Sequence, residues 1–264
     1  MTAGQLIGKG MTAEVYEWGE GQVVKLYYGN IPKDWLHYET EIGTAVYKAG
    51  VPAPEVFGQV EVDGRSGLVY EKIAGPSLLT LMLHDMDKAD HYSTLLAQLH
   101  ADIHRCRASR LPRQKDRMAM FVRQSAAFLG DRVEPVLTEL ERLPEGESVC
   151  HGDFHPDNVL QAGGRLTVID WMDANSGDPL CDAARTSMMF LSPFASMPPL
   201  SIPPETGQRL NEAYLSEYCR LTGADRAAID RWRLPVAAAR LREQIPGERE
   251  WLLAYIDRQL EACK

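Results

Sequence analysis

Short apolar patches set off by polar positions fill the first thirty residues. QLIGKGMTAEVYEW (5–18) carries two such patches around a glycine-containing turn. EGQVVKLYY (20–28) sets Val23, Val24, Leu26 and Tyr27 around a lone Lys25. β-Branched and aromatic residues in short runs predict strands. The period changes in KDWLHYETEIGTAVYKA (33–49), where Trp35, Tyr38, Ile42, Ala45 and Val46 recur at helical spacing. Gly50 ends that helix, and VPAP (51–54) forces an extended exit. EVFGQVEVDGRSGLVYEKI (55–73) reads as a hairpin with DGRSG as its turn.

Beyond AGPS (74–77) the pattern becomes helical. HYSTLLAQLHADIHRC (91–106) has an apolar stripe through Leu95, Leu96, Leu99 and Ile103. Residues 116–143 read as another helix or a pair, with Pro135 breaking or starting one. Residues 158–170 predict a second hairpin: NVL, a QAGG turn, then RLTVID. Everything after 178 reads as helix, interrupted by a proline-rich loop at 192–204. The expectation is an α+β chain: a small β-rich lobe over 1–73 and a larger helical lobe over 74–264, hinged near 73–77.

Composition narrows the function classes. The net charge is -9 and no basic block occurs, which argues against nucleic acid as a partner. The 264 residues hold no apolar run near membrane-spanning length, and MTAGQLIGKGMTAEV is not a signal peptide. Cys106, Cys150, Cys181, Cys219 and Cys263 form no CxxC pair, as expected of reduced thiols in a cytoplasmic chain. A monomer or a small homo-oligomer fits the size.

The chemistry concentrates in CHGDFHPDNVL (150–160) and VIDWMDANSGDPLCD (168–182). His151 and His155 are four apart, but Gly152 and Pro156 interrupt any helix that would make them a zinc pair. No GxSxG elbow supports a serine nucleophile. Phosphoryl transfer fits better. It needs a carboxylate for the attacking hydroxyl, oxygen ligands for a hard cation and a cation on the phosphates. Asp153 can be the carboxylate. Asn158 and Asp170, brought together by the predicted hairpin, can hold magnesium. Lys25 can reach the phosphates, and Glu39, 14 residues on, can fix it from the following helix. Glu41 competes for that role, but Glu39 lies nearer the apolar face. Isolated Asp and Asn residues are more often turn formers; the ordered set carries the reading.

HGDFHPDN followed by VIDW resembles the catalytic loop and metal-binding segment of the aminoglycoside phosphotransferase and choline kinase family, small-molecule kinases with a protein-kinase-like bilobal fold. GKGMTAEVY, VVKLY, GLVYEKIAGPSL and GDPLCDAA extend the likeness over most of the chain. The resemblance implies ATP or GTP as donor, Mg2+, and a small, possibly cationic hydroxylated acceptor. It implies that Gly8 and Gly10 cover the nucleotide, although Met11, Thr12 and Ala13 stand where a third glycine is usual. It implies that Glu71, Lys72 and Ile73 offer backbone groups to the purine. His151 would brace the loop, Asp182 would anchor its backbone, and Asp173 would face metal or substrate. Glu243 is a weak acceptor-binding candidate, with Glu248 and Glu250 read as solvated. His100 and His104 read as a core or interface pair, and Met188, Met189, Phe190, Trp232 and Trp251 as packing residues. Two other readings stay open: a kinase-fold nucleotide-binding regulatory protein without useful turnover, and a metal hydrolase using the acidic cluster.

Overall fold

A computed structural model describes residues 3–10, 12–29 and 31–262. Five antiparallel strands come first: β1 (Leu6–Lys9), β2 (Ala13–Glu17), β3 (Gln22–Tyr27), β4 (Val56–Val62) and β5 (Arg65–Glu71), in the order β1-β2-β3-β5-β4. Helix α1 (Lys33–Lys48) follows β3 and packs on β4 and β5. Alternation along β3 divides its side chains. Val24 and Leu26 join Trp18, Val62 and Val69 in one apolar cluster, while Tyr27 joins Leu68 and Ala13 in another. Lys25 shares the Tyr27 face by the two-residue period, and that face looks toward α1.

Two sequence expectations shift here. The β4–β5 turn is tighter than DGRSG: only Asp63 and Gly64 take positive φ, at 50° and 75°, and Arg65 already pairs with Val62. Two consecutive positive φ angles match the twist of a two-residue hairpin. Trp35 is exposed, so the buried face of α1 runs through Ile42 and Val46.

The chain then passes through residues 72–77 into helices α2 (Leu78–His84), α3 (Ala89–Ile103), α4 (Gln114–Gln124), α5 (Ala126–Leu129) and α6 (Val133–Arg142). Pro135 sits in the first turn of α6, where its missing N–H costs nothing. The connecting segment is clamped. Pro76 O accepts from Gln161 N at 2.9 Å, and Ser77 caps α2 while donating to Asp157 Oδ1 at 2.7 Å. A Cβ on Gly75 would lie 1.9 Å from Gln161 O, so no larger residue fits there.

The loop His151–Asn158 lies between two small antiparallel pairs. Strand β6 (Ser148–Cys150) pairs with β9 (Asn175–Gly177), and β7 (Val159–Ala162) pairs with β8 (Arg165–Val168). The β6–β9 pair has no alternation to announce it; all three β6 residues are buried. Helices α7 (Pro179–Phe190), α8 (Pro204–Thr222), α9 (Arg226–Arg240) and α10 (Arg249–Ala262) complete the chain. Helix α3 packs along α8 and α7 against α9, and Trp232, Tyr214, Tyr218, Phe154 and Met188 are among the largest side chains buried there. No helix among the described residues is long and apolar enough to cross a membrane. Cys106, Cys150, Cys181 and Cys219 are free thiols; Cys263 lies outside the described residues.

Candidate active site

The loop from His151 to Asn158 owes its shape to one buried carboxylate. Asp178 caps α7 by accepting from Leu180 N at 2.8 Å, and Pro179 starts the helix. That places Asp182 one turn in, under the loop. Its Oδ2 accepts from His151 N at 2.6 Å and its Oδ1 from Gly152 N at 2.9 Å. His100 Nε2 and His104 Nε2 approach the same Oδ2 at 3.1 and 3.4 Å. The other ring nitrogens meet Tyr214 and Tyr218 hydroxyls, both at 2.7 Å. Burial, then the neighbouring His104, holds His100 down to about 3, so it is neutral. Asp182 is pushed up by burial but held well below the usual carboxylate range by the two histidines. Every polar atom of this cluster has a partner, which is a structural role and not that of an open metal site.

His151 supplies the next brace. Its Nδ1 accepts from Asp153 N at 3.1 Å, and its Nε2 lies 3.0 Å from Ile169 O, which fixes the Nε2–H tautomer. Gly152 takes φ 80°, and a Cβ there would meet Asp173 O at 2.3 Å. Phe154 is buried and stacks on His100, and its carbonyl accepts from Thr186 Oγ1 at 2.7 Å.

These contacts aim Asp153 and Asn158. Asn158 Nδ2 donates to Asp153 O at 3.0 Å, which leaves the amide oxygen as a ligand atom. Asn158 O accepts from Ile169 N at 2.9 Å, so the β7–β8 hairpin returns Asp170 beside Asn158. Asp170 takes the left-handed conformation, φ 63° and ψ 59°, and its side chain is half-exposed. An amide oxygen and a solvent-facing carboxylate at the two ends of the β7–β8 hairpin are hard oxygen donors that suit magnesium.

Lys25 meets this pair from the sheet. Its Nζ lies 2.8 Å from Glu39 Oε1 and 3.2 Å from Asp170 Oδ1. Burial would lower the lysine, but Asp170 and Glu39 push it up to about 12. Tyr70 OH donates to Glu39 Oε1 at 2.7 Å, and Tyr27 OH donates to Oε2. The cross-strand register explains the convergence: Val23 opposes Tyr70 and Lys25 opposes Leu68, so Lys25, Tyr27 and Tyr70 share one face. Glu41, the competing candidate, is exposed beside His37 at 3.5 Å.

The nucleotide-loop candidates lie on and just after β1, and the purine-edge candidates at and just after the end of β5. Gly8 is within β1, and Gly10 N donates to Ala13 O at 2.9 Å; Met11 falls outside the described residues. Glu71 ends β5, and Ile73 follows at the start of the connecting segment. The Lys72 amide is already committed to Gly21 O at 2.9 Å, and its ammonium to Glu17 at 2.6 Å.

The acidic groups expected near a cationic acceptor are instead bound to arginines. Asp173 Oδ1 lies 2.5 Å from Arg117 Nη2. Glu243 bridges Arg185 Nη1 at 2.9 Å and Arg240 Nη1 at 3.2 Å. Glu248 is buried against Arg240 at 2.7 Å and hydrogen-bonded by Ser192, so it is not a solvated residue; Glu250 is exposed. Arg185 Nη2 also donates to Asp153 Oδ1 at 2.7 Å. Burial pushes the Asp153 carboxyl up, but Arg185 and His155 hold it well below the ordinary range. Arg185, Arg117, Tyr27 and Tyr70 were not foreseen. Arg185 left one signal: it lies a turn beyond Asp182 within the mostly small and apolar CDAARTSMM.

Comparison with known proteins bears on the family and the fold. Acyl-CoA dehydrogenase family member 11 of Rattus norvegicus is 26% identical over 216 residues, 71% of this chain but 28% of that protein. The Mus musculus protein of the same name is 32% identical over 96 residues, 33% of this chain and 12% of that protein. The chain thus spans only a fraction of these curated relatives. An aminoglycoside phosphotransferase APH(4)-Ia mutant, in ternary complex with AMP-PNP and hygromycin B, superposes with TM-score 0.65. It is 17% identical, covering 98% of this chain and 91% of that one. Choline kinase from Cryptosporidium parvum Iowa II gives 0.64 at 13% identity, covering 98% and 88%. Both share the protein-kinase-like fold expected from the sequence. The model of the APH phosphotransferase enzyme family matches residues 4–234, and with that match the chain belongs to the APH family of phosphotransferases.

Proposed function

We propose that the chain is a magnesium-dependent kinase that moves the γ-phosphoryl group of ATP to a hydroxyl of a small acceptor. The observation that carries this reading is the Lys25–Glu39–Asp170 array facing Asp153 and Asn158. Residues 1–73 would bind the nucleotide, with Gly8 and Gly10 over the phosphates and Glu71 and Ile73 beside the purine. Residues 74–264 would supply the catalytic loop and the acceptor wall. AMP-PNP in the APH(4)-Ia complex and in amicoumacin kinase hAmiN supports ATP as donor.

Lys25 would neutralise the non-transferred phosphates. Magnesium, held by Asn158 and Asp170, would supply charge neutralisation on the phosphate oxygens. Asp153 is held as the carboxylate by Arg185, so it accepts a hydrogen bond from the acceptor hydroxyl and orients it in line. Such a depressed carboxyl is a weak base. That suits a loose transition state, in which positioning matters more than early proton removal.

The test is incubation with Mg2+ and ATP or GTP against a mixed library of hydroxylated compounds, read by mass for one added phosphoryl group. Asp170→Ala should abolish transfer; substantial retained activity overturns the metal assignment. Asp153→Ala should cut turnover about 10²–10⁴-fold with little change in nucleotide affinity. Tight nucleotide binding with no transfer to any hydroxyl would favour a regulatory nucleotide-binding protein.

A further inference from the structure

The cavity beside the catalytic loop has three arginines in its lining, with Asp173 and Asp182, and Asp182 is already committed to the loop amides and two histidines. It is bounded by Gly152 and Asp173, by Arg117 and Phe121 of α4, by Arg185 of α7 and by Arg242 just after α9. Arg117 and Arg242 both stack on Phe121, with guanidinium carbons 5.2 and 3.7 Å from the ring centroid. Both guanidinium groups belong to the lining of the same cavity. The compensating carboxylates are few and shared. Asp173 Oδ1 takes Arg117 at 2.5 Å and reaches Arg242 only at 3.8 Å. Glu243 divides itself between Arg185 and Arg240. Asp153, the other partner of Arg185, is the group that must turn to an acceptor hydroxyl.

Donors are also left over. The Nε atoms of Arg117, Arg185 and Arg242 are buried with no hydrogen-bond partner among the described residues, and so is one acceptor of the same lining, Asn175 Oδ1, so donors outnumber acceptors three to one. Buried unsatisfied donors are costly and rare, and three on cationic groups around one cavity point to a missing acceptor of hydrogen bonds. A cationic acceptor would bring a fourth positive charge to this wall and find Asp173 and Glu243 occupied. The arrangement also runs against the chain's overall charge of -9, so it is not a by-product of composition.

We propose that the acceptor is a small anionic hydroxyl compound whose carboxylate or phosphate ester seats against Arg117 and Arg242 and whose hydroxyl meets Asp153. Guanidinium groups match both anions by paired hydrogen bonds. Arg185 is a positioning residue between the two: it holds Asp153 and closes the anion's side of the cavity. The step balances simply. The acceptor oxygen bonds to the γ-phosphorus, the bond to the β,γ-bridging oxygen breaks, and ADP leaves. The hydroxyl proton passes by way of Asp153 to solvent. This inference rests on the reading of Asp153 as the phosphoryl-transfer carboxylate.

The experiment gives the full chain Mg2+, ATP and four acceptor sets: short hydroxycarboxylic acids, phosphorylated sugars or polyols, neutral sugars, and hydroxylated amines including aminoglycosides and choline. One anionic set should exceed the amines in kcat/KM by about tenfold or more, and which anionic set wins separates carboxylate from phosphate recognition. Arg242→Gln and Arg117→Gln should each raise KM for that acceptor about ten- to a hundredfold, more than they lower kcat. Arg242→Lys should recover part of the loss. AMP-PNP affinity and the melting temperature report whether each variant is folded. Preference for amines, or arginine variants with unchanged KM, overturns the inference and leaves the kinase reading standing. If no acceptor is phosphorylated, calorimetry of the same sets against protein with AMP-PNP decides separately. Anion binding that Arg242→Gln abolishes supports the arginine site although transfer has failed, and absence of anion binding overturns it.

Discussion

Two polar arrays hold the catalytic segments, and they differ in how permanent their partners are. The Asp182 array is dry. Asp182, His100 and His104 are buried, and their partners are backbone amides, imidazoles and tyrosines. The Lys25 array is closed on one side only. Glu39 is buried under Tyr27 and Tyr70, but Lys25 spans to a half-exposed Asp170. The first array is a scaffold whose energy goes into shaping one loop. The second keeps an ammonium charged and aimed, with one contact that a ligand can replace. Burial with full satisfaction rigidifies; burial with one exchangeable partner leaves a group ready to bind.

Substitutions can break that contrast, and the largest effect belongs to the scaffold. Asp182→Ala leaves two loop amides and two histidines without their acceptor, and should cost about 3–5 kcal/mol in chemical unfolding. A loss under about 1 kcal/mol would mean that the loop does not depend on it. Lys25→Met should act in the opposite sense. Its kcat/KM for nucleotide should fall about 10²–10³-fold, while stability drops by only about 2 kcal/mol because Glu39 keeps two hydroxyl donors. Equal effects on folding and rate would erase the distinction between the arrays.

Acid sharpens the comparison further. His100 titrates near 3 in the folded chain and near 6.5 when unfolded, so the unfolded chain binds more protons between those values. Its contribution to stability is complete above about pH 6.5 and is lost as pH falls toward 3, at up to about 1.4 kcal/mol per unit. Melting at pH 7, 6 and 5 should show this slope in Lys25→Met as in the parent, and a shallower one in His100→Gln. The smallest effect should come from Tyr70→Phe, which removes one donor to Glu39. About 1 kcal/mol of stability and a several-fold change in nucleotide KM are expected, measurable by unfolding and steady-state kinetics.

What the sequence could reveal is governed by distance along the chain. Strand and helix periods and the glycine-rich turns of both hairpins are local, so the strands of the sheet, α1 and the 158–170 hairpin were legible from the sequence. Asp153, Asn158 and Asp170 were legible because one short hairpin brings them together. The β6–β9 pair was not, since two three-residue strands separated by 24 residues carry no period. Lys25 and Asp170, 145 residues apart, meet at 3.2 Å only because the clamped segment 72–77 sets the sheet over the loop. Arginines placed the hardest limit on prediction. Arg117, Arg185 and Arg242 look like ordinary surface charges in the sequence, and the family resemblance implied a possibly cationic acceptor. Only packing of α4, α7 and α9 turned them inward around one cavity. The sequence by itself determined the fold class and the set of groups suited to phosphoryl transfer, because those rest on local patterns. The charge of the cavity beside the His151–Asn158 loop was decided by tertiary structure, because the sign of a pocket depends on which charges are paired across it.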